Sequence, residues 1–206
     1  VCLTLKLEMT LLKENTRILT MNKYSDRFID FIKKVENEPL MVSGKNAVHA
    51  SPEGGLDTVG YGHKLTPEEA KAGKVYGIPL ANITPEKAEQ ILHMDLVKKE
   101  QQLSQTLGRR YDNLPPKNKE MLLDFAFNLG VQGTVEKFPK FTEAVLNNDM
   151  ETASKEYKRS YTDETGSKKP LARNKQFYDT FLQESPEETV ELDSALMRAM
   201  VEGNNF

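Results

Sequence analysis

The feature that most constrains this chain is one glycine-rich segment, SPEGGLDTVGYGHKLT from Ser51 to Thr66, set in a sequence whose other pattern is helical. Closely spaced glycines with β-formers such as Val59 and Tyr61 favour tight turns and a short hairpin-like sheet over a helix. Upstream, Phe28, Phe31, Ile32 and Val35 fall at i, i+3, i+4 and i+7 behind a cap at Ser25, which predicts a helix that Pro39 stops. Downstream, Thr66 with Pro67 and Glu69 reads as a capping box opening a short helix. Thr84 and Pro85 repeat the start signal, and Ala88, Ile91, Leu92, Leu96, Leu103 and Leu107 carry an apolar stripe to Gly108. A helix of about 22 residues is about 33 Å long, enough to cross a small domain. Another is predicted from Pro115 and Pro116 to Gly130, burying Met121, Leu122, Phe125 and Leu129, and three more over 140–147, 150–160 and 173–182, with the polar DETGSKK as a turn. The fold class is therefore α+β and mostly helical, with a small β-sheet lobe, a long connecting helix and a groove between two lobes.

With 206 residues, the chain has room for one such domain with extra segments. Hydrophobic residues at 38% supply a core. The longest uncharged apolar run falls far short of the roughly 20 residues that span a bilayer, so membrane insertion is not expected. Cys2 is the sole cysteine and the histidines number three, a poor set for disulfides or a metal cluster. No metal or cofactor is expected. The formal net charge of -3 is uneven, because 183–206 holds Glu184, Glu187, Glu188, Glu191, Asp193 and Glu202 against Arg198. The remaining body is nearly neutral and gives no electrostatic case for binding nucleic acid. Residues 1–20 mix charges into short apolar runs without a small-residue cleavage site, so they read as an extension outside the core and not as a signal peptide. The domain is expected over 21–182, followed by an acidic tail over 183–206.

Among residues that carry chemistry, Glu36 extends the stripe of Phe28 and Ile32 at the C-terminal end of the first helix. Partial burial and the negative end of the helix dipole both work against a charge there, the condition a general acid needs. Position alone leaves open the alternative of a solvated glutamate beside Glu38. Gly60 and Gly62 permit close approach to the backbone of the predicted hairpin, and they equally mark a bulge or tight bend.

Glu36 at the end of a first helix, a turn-rich stretch, DTVGYGHKLT, and the later FAFNLG and LARNKQFYDTF together resemble the phage lysozyme (endolysin) family, over roughly residues 24–182. The resemblance implies a lysozyme-like fold that cleaves peptidoglycan between its alternating sugars, in a groove between two lobes, without a cofactor. It implies that the partner is bacterial peptidoglycan, that the protein is a monomer, and that it stays in the host cytoplasm until released to the wall. Residue by residue, it makes Glu36 the catalytic acid and Thr58 the threonine that helps to place the attacking water. It makes Lys64, Phe127, Asn128 and Arg173 substrate-binding residues, and His63 and Asp95 a supporting pair. Where the family carries a second carboxylate, Ser51 stands in this chain, and the spacing from Glu36 to Thr58 is longer than usual. Glu53 and Asp57 are the substitutes, although Asp57, next to Thr58, points to the opposite face of a strand. With Glu36 alone, the muramic acid 6-hydroxyl attacks instead and the outcome is that of a lytic transglycosylase. A non-catalytic peptidoglycan-binding module, within a virion, is the remaining alternative.

Overall fold

The computed structural model describes residues 23–36 and 57–183. They fall into two compact units, the first running to Tyr157 and the second starting at Lys158. The expectations about 1–20, Glu53 and the tail from residue 184 lie outside the described residues.

In the first unit, α1 spans Asp26–Glu36 and buries Phe28, Ile29, Phe31 and Ile32. Its start is set as the sequence suggests: the Phe28 and Ile29 amides donate to the Ser25 carbonyl and the Phe28 amide also lies 3.2 Å from Ser25 Oγ. The helix is tied down from a distance as well. Buried Glu120 accepts hydrogen bonds from the Ser25 amide at 2.7 Å and its hydroxyl at 2.9 Å, while the Tyr24 hydroxyl and Lys23 both reach Glu100. Burial raises the Glu120 carboxyl above its ordinary value, and the two bonds from Ser25 oppose that.

The glycine-rich segment forms the expected hairpin, β1 (Thr58–Val59) against β2 (His63–Lys64), with Thr58 opposite Lys64 and Val59 opposite His63. The connecting Gly60 and Gly62 both have positive φ, 59° and 87°. Thr66 caps α2 (Pro67–Ala72) in the full capping box with Glu69, and Gly73 closes it in the left-handed conformation. A second hairpin, β3 (Lys74–Val75) with β4 (Ile78–Pro79), turns at Tyr76 and Gly77. The sequence reading missed it, because two-residue strands carry no periodicity to detect.

The long helix α3 spans Pro85–Leu107, capped by Thr84, and touches both the β part and the later helices. Gly60 packs on it so closely that a Cβ there would sit 3.2 Å from Ala88 Cβ. After a single turn, α4 (Arg109–Asp112), comes α5, Pro116–Lys137, in which Met121 to Ala126 are all buried. A helix buried on every side is the centre of its lobe. Phe125 stacks on Phe141 at 4.0 Å and meets Phe138 edge-on at 5.2 Å. Gly130 (φ 76°, ψ 161°) breaks the helical geometry where the sequence places the end, but the chain resumes as helix to Lys137. Gly133 and the β-branched Val131, Thr134 and Val135 gave that last stretch a weak helical signal. The unit closes with α6 (Pro139–Leu146) and α7 (Met150–Glu156).

The second unit corrects two expectations. The helix predicted over 150–160 ends at Glu156, and DETGSKK is the loop of a hairpin, β5 (Ser160–Thr162) with β6 (Lys168–Pro170). Asp163 organises that loop, its carboxylate accepting from the Thr165 and Ser167 amides and the Thr165 hydroxyl. Then α8 (Arg173–Phe177) runs into a π-turn over Tyr178–Leu182. Asn174 bonds both ways with the Arg159 backbone, at 2.9 and 2.7 Å. No described helix is long and apolar enough to cross a membrane.

The hold on α1 predicts a measurable cost. Ser25→Ala removes the cap and one bond to Glu120, and should lower stability by about 1 kcal/mol in urea unfolding. The loss should be smaller in a Glu120→Ala background, where the pair is already broken. An unchanged midpoint would mean that the helix start is held elsewhere.

Candidate active site

A polar groove of roughly 530 Å³ runs through the first unit, and Glu36, Gly62, His63, Lys64, Asp95, Phe127 and Asn128 line it together. Six of those seven were singled out for function, and Gly62 as a point of close approach. They come from four elements, the end of α1, the first hairpin, α3 and α5.

Glu36 occupies the last position of α1, half-buried, with its side chain over the hairpin turn. A Cβ built on Gly62 would lie 3.1 Å from Glu36 Oε2. Two constraints therefore meet at Gly62, a positive φ and a carboxylate where a side chain would go. One turn before Glu36, Lys33 pairs with Glu89 of α3 at 2.9 Å and lies 5.9 Å from the Tyr61 ring centre. Burial lowers the Lys33 ammonium, and the bond and charge of Glu89 more than reverse it. This single side chain gathers α1, the hairpin and α3 at the point where Glu36 leaves its helix.

His63 and Asp95 are brought together as the resemblance implies. His63 Nδ1 lies 2.9 Å from both carboxylate oxygens of Asp95. The sequence reading missed the rest of the cluster. His63 Nε2 is 3.1 Å from Glu69 Oε2, and the Tyr76 hydroxyl donates to Asp95 at 2.6 Å. With a carboxylate facing each ring nitrogen, only the imidazolium donates to both. Burial works against that charge, but the hydrogen bond and charge of Asp95, followed by those of Glu69, raise His63 above its ordinary value. Glu69 moves the other way: its slight burial is outweighed by the Thr66 amide and by His63, and it is lowered. Burial and then Asp95 push the Tyr76 phenol up strongly, so it stays a donor. Glu69 was legible only as a capping residue, and its second role needs the fold to bring His63 over the start of α2.

The remaining predicted residues fall elsewhere. Thr58, the first residue of β1, is 5% exposed and is not among the groove-lining residues. Asp57, exposed just before β1, is also not among them. Arg173, by default a surface residue, is 8% exposed in the second unit. Further lining residues that the reading missed are Lys98, Lys99 and Gln102 of α3, which continue the face of Asp95 at i+3, i+4 and i+7.

Three comparisons bear on this site. The phage lysozyme family model matches residues 42–175, a stretch that starts after Glu36. Peptidoglycan hydrolase gp36 of Enterobacteria phage SP6 is 30% identical over 153 residues, which cover 65% of this chain and 15% of that protein. The chain thus spans a small part of that relative's length. The muramidase domain of SpmX from Asticaccaulis excentricus superposes with a TM-score of 0.51 at 19% identity, over 78% of this chain and 97% of that domain. The mostly helical α+β fold with small antiparallel sheets is lysozyme-like.

The cluster around His63 predicts a pH dependence. Its folded value is raised, so its contribution to stability is fully present below the unfolded value of about 6.5 and fades as pH rises through the folded one. The lowered Glu69 adds stability above its ordinary value that is lost as pH falls. His63→Gln should flatten the alkaline limb of a stability profile. An NMR titration that puts His63 at or below the value of a free histidine would refute the clamp.

Proposed function

The chain belongs to the phage lysozyme family, and from that premise we propose that it is an endolysin-type muramidase. Its reaction is cleavage of the β-1,4 bond between N-acetylmuramic acid and N-acetylglucosamine in peptidoglycan, with Glu36 as general acid. One observation carries this reading: the Glu36 carboxylate stands in the wall of a polar groove, pressed over a glycine with no side chain to block it.

The chemistry follows from that position. A glycosidic bond breaks when its oxygen receives a proton as the C1–O electron pair moves onto it, and Glu36 is the donor. Phe127 offers a partly exposed apolar surface and Asn128 an exposed amide to the sugars and their N-acetyl groups. Lys64 lies on the hairpin side of the same groove, and Arg173 is assigned to the substrate through the family pattern. His63 and Asp95 act as support that fixes the hairpin against α3.

In the hydrolytic reading a water adds to C1 and gives its proton to a second carboxylate, Glu53 or Asp57, while Thr58 helps to place that water. A specific observation favours a second reading. The other carboxylates lining the groove among the described residues, Glu69 and Asp95, both accept from His63. In that reading the muramic acid 6-hydroxyl attacks C1 and its proton passes to the Glu36 carboxylate left by the first step. The bond cut is the same, and the product carries an anhydro-sugar end.

Glu36→Gln, nearly isosteric but without a proton to donate, should lower wall clearing about 100-fold or more with unchanged circular dichroism. Retention of more than a tenth of the activity would remove Glu36 from the mechanism. Mass spectra of the released fragments distinguish reducing from anhydro ends. Gly62→Ala should also depress activity, because its methyl group meets the Glu36 carboxylate.

A further inference from the structure

Lys33 and Glu36 leave the last turn of α1 over adjacent residues of the hairpin turn. The Lys33 ammonium stands 5.9 Å from the ring centre of Tyr61, and Glu36 Oε2 lies where a side chain on Gly62 would begin. Three residues apart on a helix, a lysine and a glutamate share a face and come within reach of each other. The Lys33 charge is instead drawn to α3, where Glu89 takes it at 2.9 Å. Only 28% and 27% of the two side chains is exposed, so salt and water screen the pair less than one on the open surface. Its acceptor is also fixed in place, because Glu89 follows Ala88, the residue against which Gly60 brings the turn.

We propose that Glu89 is a positioning residue for Glu36: it holds the Lys33 ammonium on the α3 side of the hairpin turn and keeps that charge from pairing with the carboxyl that must give its proton to the sugar. An opposite charge within about 4–6 Å of a carboxyl favours the carboxylate, and a carboxylate is no proton donor. Glu89 counters this by geometry, since the bond commits the ammonium to α3, and by charge, since its own carboxylate offsets the field of the lysine. The end of α1 can then be fastened by a cation one turn from the acid without losing the acid. Other charged groups surround the site. Lys64 of the first hairpin and Lys98 and Lys99 of α3 line the groove, while α5 contributes the uncharged Phe127 and Asn128. His63, Glu69, Asp95 and Tyr76 are joined to one another. Around the pair itself are Asp30 and Tyr61, and His93, whose Nε2 is 3.9 Å from the second oxygen of Glu89. All of them are shared by the wild type and the variants that test the pair.

The inference rests on the muramidase reading, and its test separates the two. The full-length protein, Glu89→Gln, Lys33→Met and the double variant are assayed for kcat and KM on soluble peptidoglycan chains across pH. Both single variants lose the same ion pair, so a purely structural tie changes both alike. In Glu89→Gln the lysine stays and its counter-charge is gone. The alkaline limb of kcat, which reports the acid in the complex with substrate, should then move down by about one pH unit, roughly tenfold in rate on that limb. KM should stay within about twofold, as for a residue that does not touch the sugar. Lys33→Met should not move the limb down, and the double variant should return it to the wild-type position. A limb that is unmoved in Glu89→Gln, or that falls equally in Lys33→Met, overturns the proposal. If the wild type cuts nothing, or Glu36→Gln cuts as well as the wild type, the muramidase reading fails instead. An NMR titration of the Glu36 side chain then decides the matter by itself: a lower midpoint in Glu89→Gln than in the wild type upholds the diversion of Lys33, and an unchanged one overturns it.

Discussion

The His63 ring, with a carboxylate at each of its nitrogens, is the tie on which the β part of the first unit depends. The strands there are two residues long, and hairpins of that size are not stable alone in water. They persist because His63 joins the first hairpin to α2 through Glu69 and to α3 through Asp95, and Tyr76 adds the second hairpin through the same Asp95. Tyr76 adopts a left-handed backbone (φ 51°), a conformation that costs an L-residue on the order of 1 kcal/mol. A hydrogen bond to a charged group contributes about 1.5–3 kcal/mol, so the bond to Asp95 offsets the strain of the turn that makes it.

Glu36 is located by a different set of ties, all on α1. Eleven residues are too few for a helix to be stable by itself. Glu120 and Glu100 hold its first turn from α5 and α3, its buried face fills the core, and Lys33 with Glu89 fastens its last turn. The partners on α3 and α5 all lie far from Glu36 in sequence, and together they hold both ends of its helix. Glu36, the proposed general acid, is thus a terminal residue of a helix whose two ends are both fixed, an arrangement that limits its reorganisation.

How much of this was legible in the sequence follows from the range of each interaction. Ser25, the Thr66 and Glu69 capping box and the Thr84 and Pro85 start are local and were read correctly, whereas the end read at Gly130 is a break after which the helix resumes. Glu36, His63, Asp95, Phe127 and Asn128 were found through a family pattern, and the structure brings all five to one groove. What was missed is non-local or below the length at which a period is visible. The second and third hairpins have strands of two and three residues, and Tyr76 gave no signal because its partner is 19 residues away.

The two glycines of the hairpin turn join these separate ties. Gly60 brings the turn against Ala88 of α3, and Gly62 brings it under Glu36 of α1. Both have positive φ, so a side chain at either is strained even before it meets a neighbour. At Gly60 the neighbour is a methyl group and backbone of a long helix, which have nowhere to move, so a larger residue there would lift the hairpin and act on stability. At Gly62 the neighbour is the end of a carboxylate side chain, which yields by rotating, so the fold would absorb the change and the chemistry would not. Two glycines separated by one residue thus carry different burdens, because one faces the scaffold and the other faces the acid.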